Sequence, residues 1–197
     1  MFLIRRIQDE GGVATSMVGV AVIGTGYWGR NHVRTFCTLR EEGLIDDIVV
    51  CDSDAGRAAD IGEEFGCQYV TDAASLSSLG IDMVTIATPT PSHADLAIQM
   101  MYAGLDVLVE KPLAMSVEEG EEVIRVSEET GCLLLVGHVF RHHAGIRTAA
   151  EIINSGKMGP IRHIVSERLA VREPRDDIGV IAALGIHDFD ICVDLLG

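Results

Sequence analysis

The sequence predicts an α/β fold built on a doubly wound parallel sheet, followed by the start of an α+β domain. Over residues 17–156, short runs of β-branched and aliphatic residues alternate with helix-compatible segments. A glycine-rich turn follows the first of these runs, and an aspartate ends the second. Strands that alternate with helices need right-handed crossovers, which place the strands parallel in one sheet.

The first predicted strand lies within Met17–Ile23 and leads through a glycine-rich turn into a predicted helix that continues to Leu39. Gly24, Gly26 and Gly29 have the spacing G-x-G-x-x-G. At a dinucleotide site the first glycine permits a tight turn, the second lets the backbone approach a pyrophosphate, and the third lets helix and strand pack closely. The free N–H groups at the helix start would hold the phosphates. The turn therefore predicts a Rossmann-type nucleotide-binding domain.

Asp52 ends the second predicted strand, Asp47–Asp52, and follows Gly29 by 23 residues. This spacing is close to that of a carboxylate that accepts hydrogen bonds from the ribose hydroxyls of a dinucleotide. The alternative is an ordinary N-cap for a helix over Ala55–Phe65. We favour the ribose role, which predicts NAD as the cofactor because a carboxylate would repel the 2′-phosphate of NADP. Arg57 lies close enough in the sequence to leave NADP possible.

The later segments continue the alternation. Further strands are predicted at residues 68–70, 82–87, 106–109 and 133–136, a brief helix or turn at 73–79, and helices at about 93–103, 117–129 and 142–155. Ser92 with Asp95 has the spacing of a capping pair at a helix start. Ser116 with Glu119 has the same spacing at the next helix. Gly156–Pro160 is the best candidate domain boundary, so we expect a nucleotide-binding domain over residues 17–156.

Residues 157–197 are expected to form an incomplete substrate and oligomerisation domain. They contain one long strand-like segment, Ile161–Val171, and one apolar helix-like run around His187. One strand and one helix cannot bury their own apolar faces. This part is therefore expected to pack loosely on the first domain or to associate with another chain, as a homo-oligomer if the sheet is completed. Residues 1–16 are expected to be a disordered extension outside the fold.

The composition excludes several classes of protein. Fifteen Lys and Arg against thirty Asp and Glu give a net charge of −15, which argues against nucleic acid as a partner. No apolar run approaches the ~20 residues of a membrane helix, and the start, MFLIRRIQDE, does not have the pattern of a secretory signal. The five cysteines are widely spread and form no Cys-x-x-Cys pair. They indicate a reduced, cytoplasmic protein without a metal site.

Five short motifs occur in one order between Met17 and the end of the chain. They are GTGYWGRNH at 24–32, ATPTPSHADLA at 87–97, EKPLA at 110–114, VGHVFR at 136–141 and GIHDFD at 185–190. Together they resemble the Gfo/Idh/MocA family, whose members are NAD(P)-dependent oxidoreductases of sugars, inositols and sugar nucleotides. Within that family, GYWGRNHVR and VGHVFRHH resemble the UDP-N-acetylglucosamine 3-dehydrogenases. The resemblance implies a sugar or sugar-nucleotide substrate.

The resemblance also implies two catalytic residues. Lys111 would lie near the substrate hydroxyl and the nicotinamide, and His187 would bind or deprotonate the same hydroxyl, with Asp190 nearby. Oxidation of a secondary alcohol needs a group that accepts the hydroxyl proton as hydride leaves for the nicotinamide. A buried lysine or a histidine can serve. The alternatives are a surface lysine at a strand end, a core histidine and an exposed helix carboxylate.

Cofactor contacts are expected from the glycine loop, the Thr-Pro loop and the EKP turn. The predicted cofactor-binding residues are Gly24, Gly26, Tyr27, Trp28, Gly29, Asp52, Thr88, Pro89, His93, Glu110, Lys111 and Pro112. For Tyr27 and Trp28 the alternative is packing against the next helix. For His93 and His138, capping or packing is an equal alternative. The Lys111–Pro112 bond is a candidate for a cis peptide that aims the lysine away from the strand end.

Two departures from the family pattern leave a second function open. Many members carry an aspartate four residues before the histidine, where this chain has Ala183. The chain also ends at Gly197, before most of the open sheet that completes the substrate pocket in the family. The leading hypothesis is an NAD-dependent sugar or sugar-nucleotide dehydrogenase. The alternative is a protein that binds the cofactor without catalysis, as a sensor, a partner subunit or an inactive short member.

Overall fold

A computed structural model describes residues 18–169 and 177–197. Six strands form one sheet: β1 (Val18–Ile23), β2 (Ile45–Cys51), β3 (Gln68–Val70), β4 (Met83–Ile86), β5 (Asp106–Val109) and β6 (Leu134–Val136). The α-helices are α1 (Tyr27–Glu41), α2 (Ala55–Phe65), α3 (His93–Tyr102), α4 (Val117–Thr130), α5 (Ala144–Asn154) and α6 (Ile186–Leu196). Short 3₁₀ turns occupy Ala73–Ser78, Thr90–Ser92 and Val139–His142, and a π-helical turn, Ile181–Gly185, leads directly into α6.

The sheet confirms the predicted doubly wound architecture. Its strand order is β3-β2-β1-β4-β5-β6, and every pair of neighbours is parallel. The chain therefore winds outward from β1 in one direction and from β4 in the other. A crevice opens at the carboxyl ends of β1 and β4, because the loops that follow these two strands leave the sheet in opposite directions.

The apolar core lies on both faces of the sheet because successive strand residues point to opposite faces. In β1, Val20 and Val22 pack with the buried side chains of α1, such as Val33 and Phe36. Ala21 belongs to the opposite cluster, which contains buried residues of α3 and α4. Both faces are thus covered by helices, which explains why β1 is almost continuously apolar.

The helix ends confirm the expected capping pair at Ser116 and only the position of the one at Ser92. Ser116 accepts a hydrogen bond from the Glu119 N–H (3.1 Å), and the Glu119 carboxylate accepts one from the Met115 N–H (2.9 Å). Ser92 occupies the predicted N-cap position of α3, but its side chain makes no capping hydrogen bond. The Ser92 hydroxyl donates to the Thr88 hydroxyl (2.7 Å) and contacts the Pro89 carbonyl, because the 3₁₀ turn at Thr90–Ser92 occupies the start of this helix. The cap of α2 is Asp54, which accepts from the Arg57 N–H (3.1 Å).

The predicted strand over Ile161–Val171 is wrong for the part that the structure describes. Residues 161–169 belong to no strand, and the last two residues of the prediction lie outside the described residues. A strand needs a neighbour for its ladder of hydrogen bonds, and residues 177–197 form only helical turns. Side chains hold the segment instead: Ser166 and Arg168 both donate hydrogen bonds to Asp188 of α6.

Three further expectations concern membrane helices, the cysteines and the ends of the domains. No helix in the described ranges 18–169 and 177–197 is long and apolar enough to cross a membrane. All five cysteines are free thiols. The expected extension at residues 1–16 lies outside the described residues, and the domain limits at 17–156 and 157–197 stay predictions.

Candidate active site

The loops after β1, β2 and β4 surround a cavity of about 1190 Å³ at the carboxyl end of the sheet. Its walls include seven of the predicted cofactor residues: Gly24, Gly26, Tyr27, Trp28, Asp52, Thr88 and Pro89. Ligand pockets of open α/β sheets occupy this same position, outside the carboxyl ends of the strands where the strand order reverses. The cavity is therefore the candidate cofactor site.

Two of the loop glycines are required by close backbone approach. Gly24 has φ +86°, and a Cβ there would lie 2.7–2.8 Å from the side chain and N–H of Thr88. A Cβ on Gly29 would lie 1.7 Å from the Gly24 carbonyl oxygen, which no side chain can tolerate. A Cβ on Gly26 would meet nothing within 4 Å, and this residue lines the cavity. The loop thus presents bare backbone at the start of α1, as a pyrophosphate site needs.

Asp52 is buried and holds the glycine loop. One of its oxygens accepts hydrogen bonds from the N–H (2.8 Å) and hydroxyl (2.9 Å) of Thr25, and the other accepts from the Asp54 N–H (3.0 Å). Burial alone would raise the pKa of Asp52, but these hydrogen bonds and the nearby Arg57 charge outweigh it and lower the pKa. A carboxylate has about four acceptor positions. Three accept from these donors and the Arg57 guanidinium lies 3.4 Å from both oxygens, so a ribose hydroxyl would share the last position with Arg57. The N-cap alternative for Asp52 is wrong, because Asp54 caps α2.

The charges that line the cavity are mostly negative. Asp52, Asp72, Asp95 and Asp177 line it, and Arg57 is the single cationic side chain among the described lining residues. The Arg57 guanidinium lies 3.4 Å from both oxygens of Asp52. Arg57 is therefore already paired with the carboxylate that is predicted to hold the ribose.

Tyr27 and Trp28 stand at the mouth of the cavity. Their side chains are 79% and 50% exposed, and the two rings meet edge to face with centroids 5.4 Å apart. Such exposure contradicts the alternative that they pack against the next helix. An exposed aromatic pair beside a cavity is suited to stack on a planar or sugar ring.

Glu110, Lys111 and Pro112 form a buried turn at the end of β5, and the Lys111–Pro112 peptide bond is cis, as expected. The Lys111 ammonium donates a hydrogen bond to the backbone carbonyl of Ala183 (3.1 Å). The structure therefore contradicts the alternative of a surface lysine. It also gives Ala183 a role that its side chain did not suggest, because its main-chain oxygen contacts the lysine.

The Glu110 carboxylate contacts a histidine that the sequence analysis did not single out. His32 of α1 places Nε2 2.9 Å from Glu110 Oε1. Burial alone would raise the pKa of Glu110, but the contacts with His32 and Lys111 outweigh it and lower the pKa. The only sequence signal for His32 was its place at the end of the GTGYWGRNH motif.

His187 lies at the start of α6, with its ring against Phe140 (centroids 5.0 Å apart). Burial, followed by the positive charges of Lys111 and Arg168, lowers the pKa of His187 to about 4. His187 is therefore neutral at pH 7, and Lys111 is close enough to influence its charge. Its buried Nδ1 makes no hydrogen bond with any residue in the described part of the chain.

His93 and Asp190 have structural contacts near these side chains. The ring nitrogens of His93 lie 2.7 and 2.8 Å from the carbonyl oxygens of Pro112 and Thr88, which corresponds to the packing alternative. Asp190 forms an ion pair with Arg141 (2.7 Å) and lies 3.7 Å from His138 Nδ1. Its side chain is only 7% exposed, so the exposed-carboxylate alternative is wrong.

Within residues 18–169 and 177–197, no cluster of three or more histidine, cysteine or acidic side chains is arranged to hold a metal ion. The observed parts instead fit a dinucleotide: bare backbone at a helix start, a carboxylate at the end of β2 and a cavity between them. Lys111 and His187 do not line this cavity. Lys111 reaches from the end of β5 to the Ala183 carbonyl, which precedes His187 by four residues.

Comparison with known proteins agrees with this arrangement. The family model described as "Oxidoreductase family, NAD-binding Rossmann fold" (GFO_IDH_MocA) matches residues 18–138. UDP-N-acetylglucosamine 3-dehydrogenase of Acidithiobacillus ferrooxidans is 34% identical over 178 residues, which cover 89% of this chain and 53% of that protein. 2,7-anhydro-N-acetylneuraminate hydratase of Mediterraneibacter gnavus is 32% identical, over 91% of this chain and 49% of that protein.

A solved structure leads to the same fold. UDP-N-acetylglucosamine 3-dehydrogenase from Acidithiobacillus ferrooxidans superimposes with a TM-score of 0.79 at 33% identity, over 92% of this chain and 57% of that one. The chain spans about half the length of the curated relatives it matches. The motif order, the sheet and the match over residues 18–138 establish that this chain belongs to the Gfo/Idh/MocA family of oxidoreductases and has its NAD-binding Rossmann fold.

Proposed function

We propose that this chain is an NAD-dependent dehydrogenase that oxidises a secondary hydroxyl of a sugar or sugar nucleotide, in the manner of a UDP-N-acetylglucosamine 3-dehydrogenase. The observation that carries the proposal is the hydrogen bond from the buried Lys111 ammonium to the Ala183 carbonyl (3.1 Å), four residues before His187 in the chain. The similarity to the Acidithiobacillus ferrooxidans dehydrogenase supports the substrate class.

The two side chains have complementary tasks in alcohol oxidation. NAD, when bound, supplies the nicotinamide that accepts hydride. His187 is uncharged at pH 7 and so has a ring nitrogen that can accept the hydroxyl proton. The Lys111 ammonium can donate a hydrogen bond to the same oxygen and stabilise its developing negative charge. Ala183 offers Lys111 only a neutral carbonyl, so we assign the proton to His187 rather than to a carboxylate at position 183.

The acidic lining supports NAD over NADP. A 2′-phosphate would bring two negative charges next to Asp52 and its acidic neighbours, with Arg57 as the single described cation to offset them. The pyrophosphate, which both cofactors share, would be held by the N–H groups at the start of α1. We therefore expect discrimination to arise at the ribose alone.

Turnover measurements test the proposal on the full chain. UDP-N-acetylglucosamine, myo-inositol and simple sugars are offered with NAD while NADH absorbance is followed. Lys111→Ala should abolish turnover and leave NAD binding nearly intact, because a group that acts in the transition state contributes little to ground-state binding. The matched control is Lys157→Ala, which removes the only other lysine and lies on the surface.

Cofactor affinity is measured on the same variants through Trp28. It is the single tryptophan of the chain, is half exposed and lines the cavity, so its fluorescence should change when NAD binds. Cofactor binding without turnover on any substrate would favour the non-catalytic alternative. Near-normal turnover of Lys111→Ala would assign the lysine a structural role and contradict the proposed mechanism.

The association of the chain is a separate proposal. Several large apolar side chains near the C-terminal end of the chain are exposed to solvent. They include Val165, Leu169, Phe189 and Val193, which are 60–91% exposed. Exposed apolar surface of this kind marks interfaces. We expect a homo-oligomer if the C-terminal sheet is completed, as sedimentation velocity would report. A cytoplasmic location stays a prediction from the cysteine pattern.

A further inference from the structure

We propose that His32 and Glu110 form a strut that fixes the Lys111 turn to helix α1, which makes His32 a positioning residue for the lysine. The inference rests on the proposed function only for its catalytic consequence. The strut itself consists of contacts between side chains, so it can be tested without a measurement of turnover.

Glu110 sits where three elements meet. Its backbone N–H donates to the Ile86 carbonyl at the end of β4 (2.9 Å), which fixes the residue on the sheet. Its carboxylate lies against Gly137, directly after β6, where an added Cβ would come within 3.3 Å of the carboxyl carbon and both oxygens. The Glu110 side chain is only 12% exposed, so the carboxylate is largely shielded from solvent by these neighbours.

His32 supplies a donor to this confined charge. Nε2 lies 2.9 Å from Oε1, and the lowered pKa of Glu110 keeps the carboxylate ionised at neutral pH, so the nitrogen donates. Hydrogen bonds to an ionised group that is shielded from water are among the stronger ones in proteins. Removal of the donor would leave a buried anion short of a partner, which is costly.

The strut continues from Glu110 to Lys111. Lys111 follows Glu110 directly and helps to lower the pKa of its carboxylate, while the Lys111 ammonium donates to the Ala183 carbonyl (3.1 Å). The lysine is thus adjacent to the strut in the chain and is held at its tip by position 183. His32 lies on the helix that begins at the predicted pyrophosphate site, so the strut also joins the cofactor loop to the lysine turn.

Lysine chemistry gives a direct test, because the chain has only two lysines. Lys111 is 9% exposed and Lys157 is exposed, so Lys157 is an internal standard. The full chain is treated briefly with an amine-acetylating reagent, and the rates at the two lysines are compared by mass spectrometry. If the strut holds the turn closed, Lys111 should react at least ~10-fold more slowly than Lys157, since local opening limits access.

Three variants separate the strut from general effects. His32→Ala should raise the Lys111:Lys157 rate ratio by roughly 3–10-fold because the turn opens more often. His32→Gln should restore the slow rate, since its amide can donate to the carboxylate. His142→Ala removes an exposed histidine and should leave the ratio unchanged. Should His32→Ala fail to fold, Glu110→Gln serves instead, because it removes the charge that His32 contacts and the ratio should again rise.

Unchanged ratios in folded His32→Ala, or no rescue by His32→Gln, would overturn the strut. An equal change in His142→Ala would do the same. If the wild type turns over a sugar, His32→Ala should lower kcat by about 10-fold or more with NAD affinity and the KM for sugar nearly unchanged, as for a displaced reacting group. If it does not, the proposed function fails while the rate ratios still decide the strut.

Discussion

Replacement of Asp52 by alanine should destabilise the fold as well as weaken cofactor binding. The sequence favoured a ribose role for Asp52, with a helix N-cap as the alternative, but the structure makes it the acceptor for both donors of Thr25. Thr25 is 3% exposed, so water cannot easily replace the lost carboxylate. The variant therefore separates a structural role in the glycine loop from a role in binding.

The expected loss in the free energy of unfolding follows from the donors that lose their acceptor. Each buried donor left unsatisfied costs about 1–3 kcal/mol, so the N–H and hydroxyl of Thr25 together give roughly 2–6 kcal/mol. The Asp54 N–H and Arg57 are more exposed and add little, since water replaces the carboxylate there. For a chain of this size the loss corresponds to a fall in Tm on the order of 5–20 °C.

Thermal unfolding of the cofactor-free chain, followed by circular dichroism, is the assay. Asp54→Ala is the matched control, because it removes a neighbouring exposed carboxylate that caps α2 and pairs with Arg57 at 3.5 Å, and it should cost ~1 kcal/mol. The pKa of Asp52 is lower in the folded chain than its usual 3.8. Its stabilisation is therefore complete above that usual value and is lost as pH falls through the folded pKa, so the Tm values of wild type and Asp52→Ala should converge in acid below that folded pKa.

The result that would refute this reasoning is a Tm for Asp52→Ala no lower than that of Asp54→Ala. If NAD affinity fell at the same time, Asp52 would act on the ribose alone and the Thr25 hydrogen bonds would contribute nothing measurable. A gap in Tm that did not close with acid would show that the carboxylate charge is not the source of the stability.

Three further predictions concern the cofactor site and His187. Gly29→Ala should abolish NAD binding in a Trp28 fluorescence titration, because its Cβ would meet the Gly24 carbonyl at 1.7 Å; normal affinity would contradict the loop geometry. The pKa of His187 is lowered to about 4, so the unfolded chain gains a proton below pH 6.5 that the folded chain does not. Wild type should lose more stability than His187→Gln in melts between pH 6.5 and 4, and parallel losses would argue against a buried neutral ring. NAD should bind at least ~10-fold more tightly than NADP because of the charge around Asp52, and equal titration curves would assign Arg57 to the 2′-phosphate.

Local signals were enough for most of the fold. The apolar run before Gly24 and the capping pair at Ser116 depend on residues within a few positions of one another, so the sequence shows them directly. The strand expected at Ile161–Val171 had suitable residues but no neighbouring strand among the described residues. Strand formation depends on pairing, which composition does not reveal.

The site was predictable where a motif combined several residue types and less so where contacts join distant segments. The glycine loop and Lys111 stood in recognisable motifs. The contact between His32 and Glu110, and that between Lys111 and the Ala183 carbonyl, join residues 78 and 72 positions apart. Every residue has a backbone carbonyl, so the residue type at a position does not show whether that carbonyl accepts a hydrogen bond. Position 183 therefore suggested only a missing carboxylate, whereas the structure shows an acceptor there.

The contacts of His93 have a consequence for how this site can vary. Its ring joins the loop after β4 to the turn after β5 through the main-chain oxygens of Thr88 and Pro112. Side chains in those two segments can change without loss of this tie, because every residue type carries the same carbonyl. One buried imidazole thus keeps the distance between the two segments constant while their surfaces diverge. This arrangement lets the side chains that contact a ligand change during evolution while the backbone around Lys111 keeps its position.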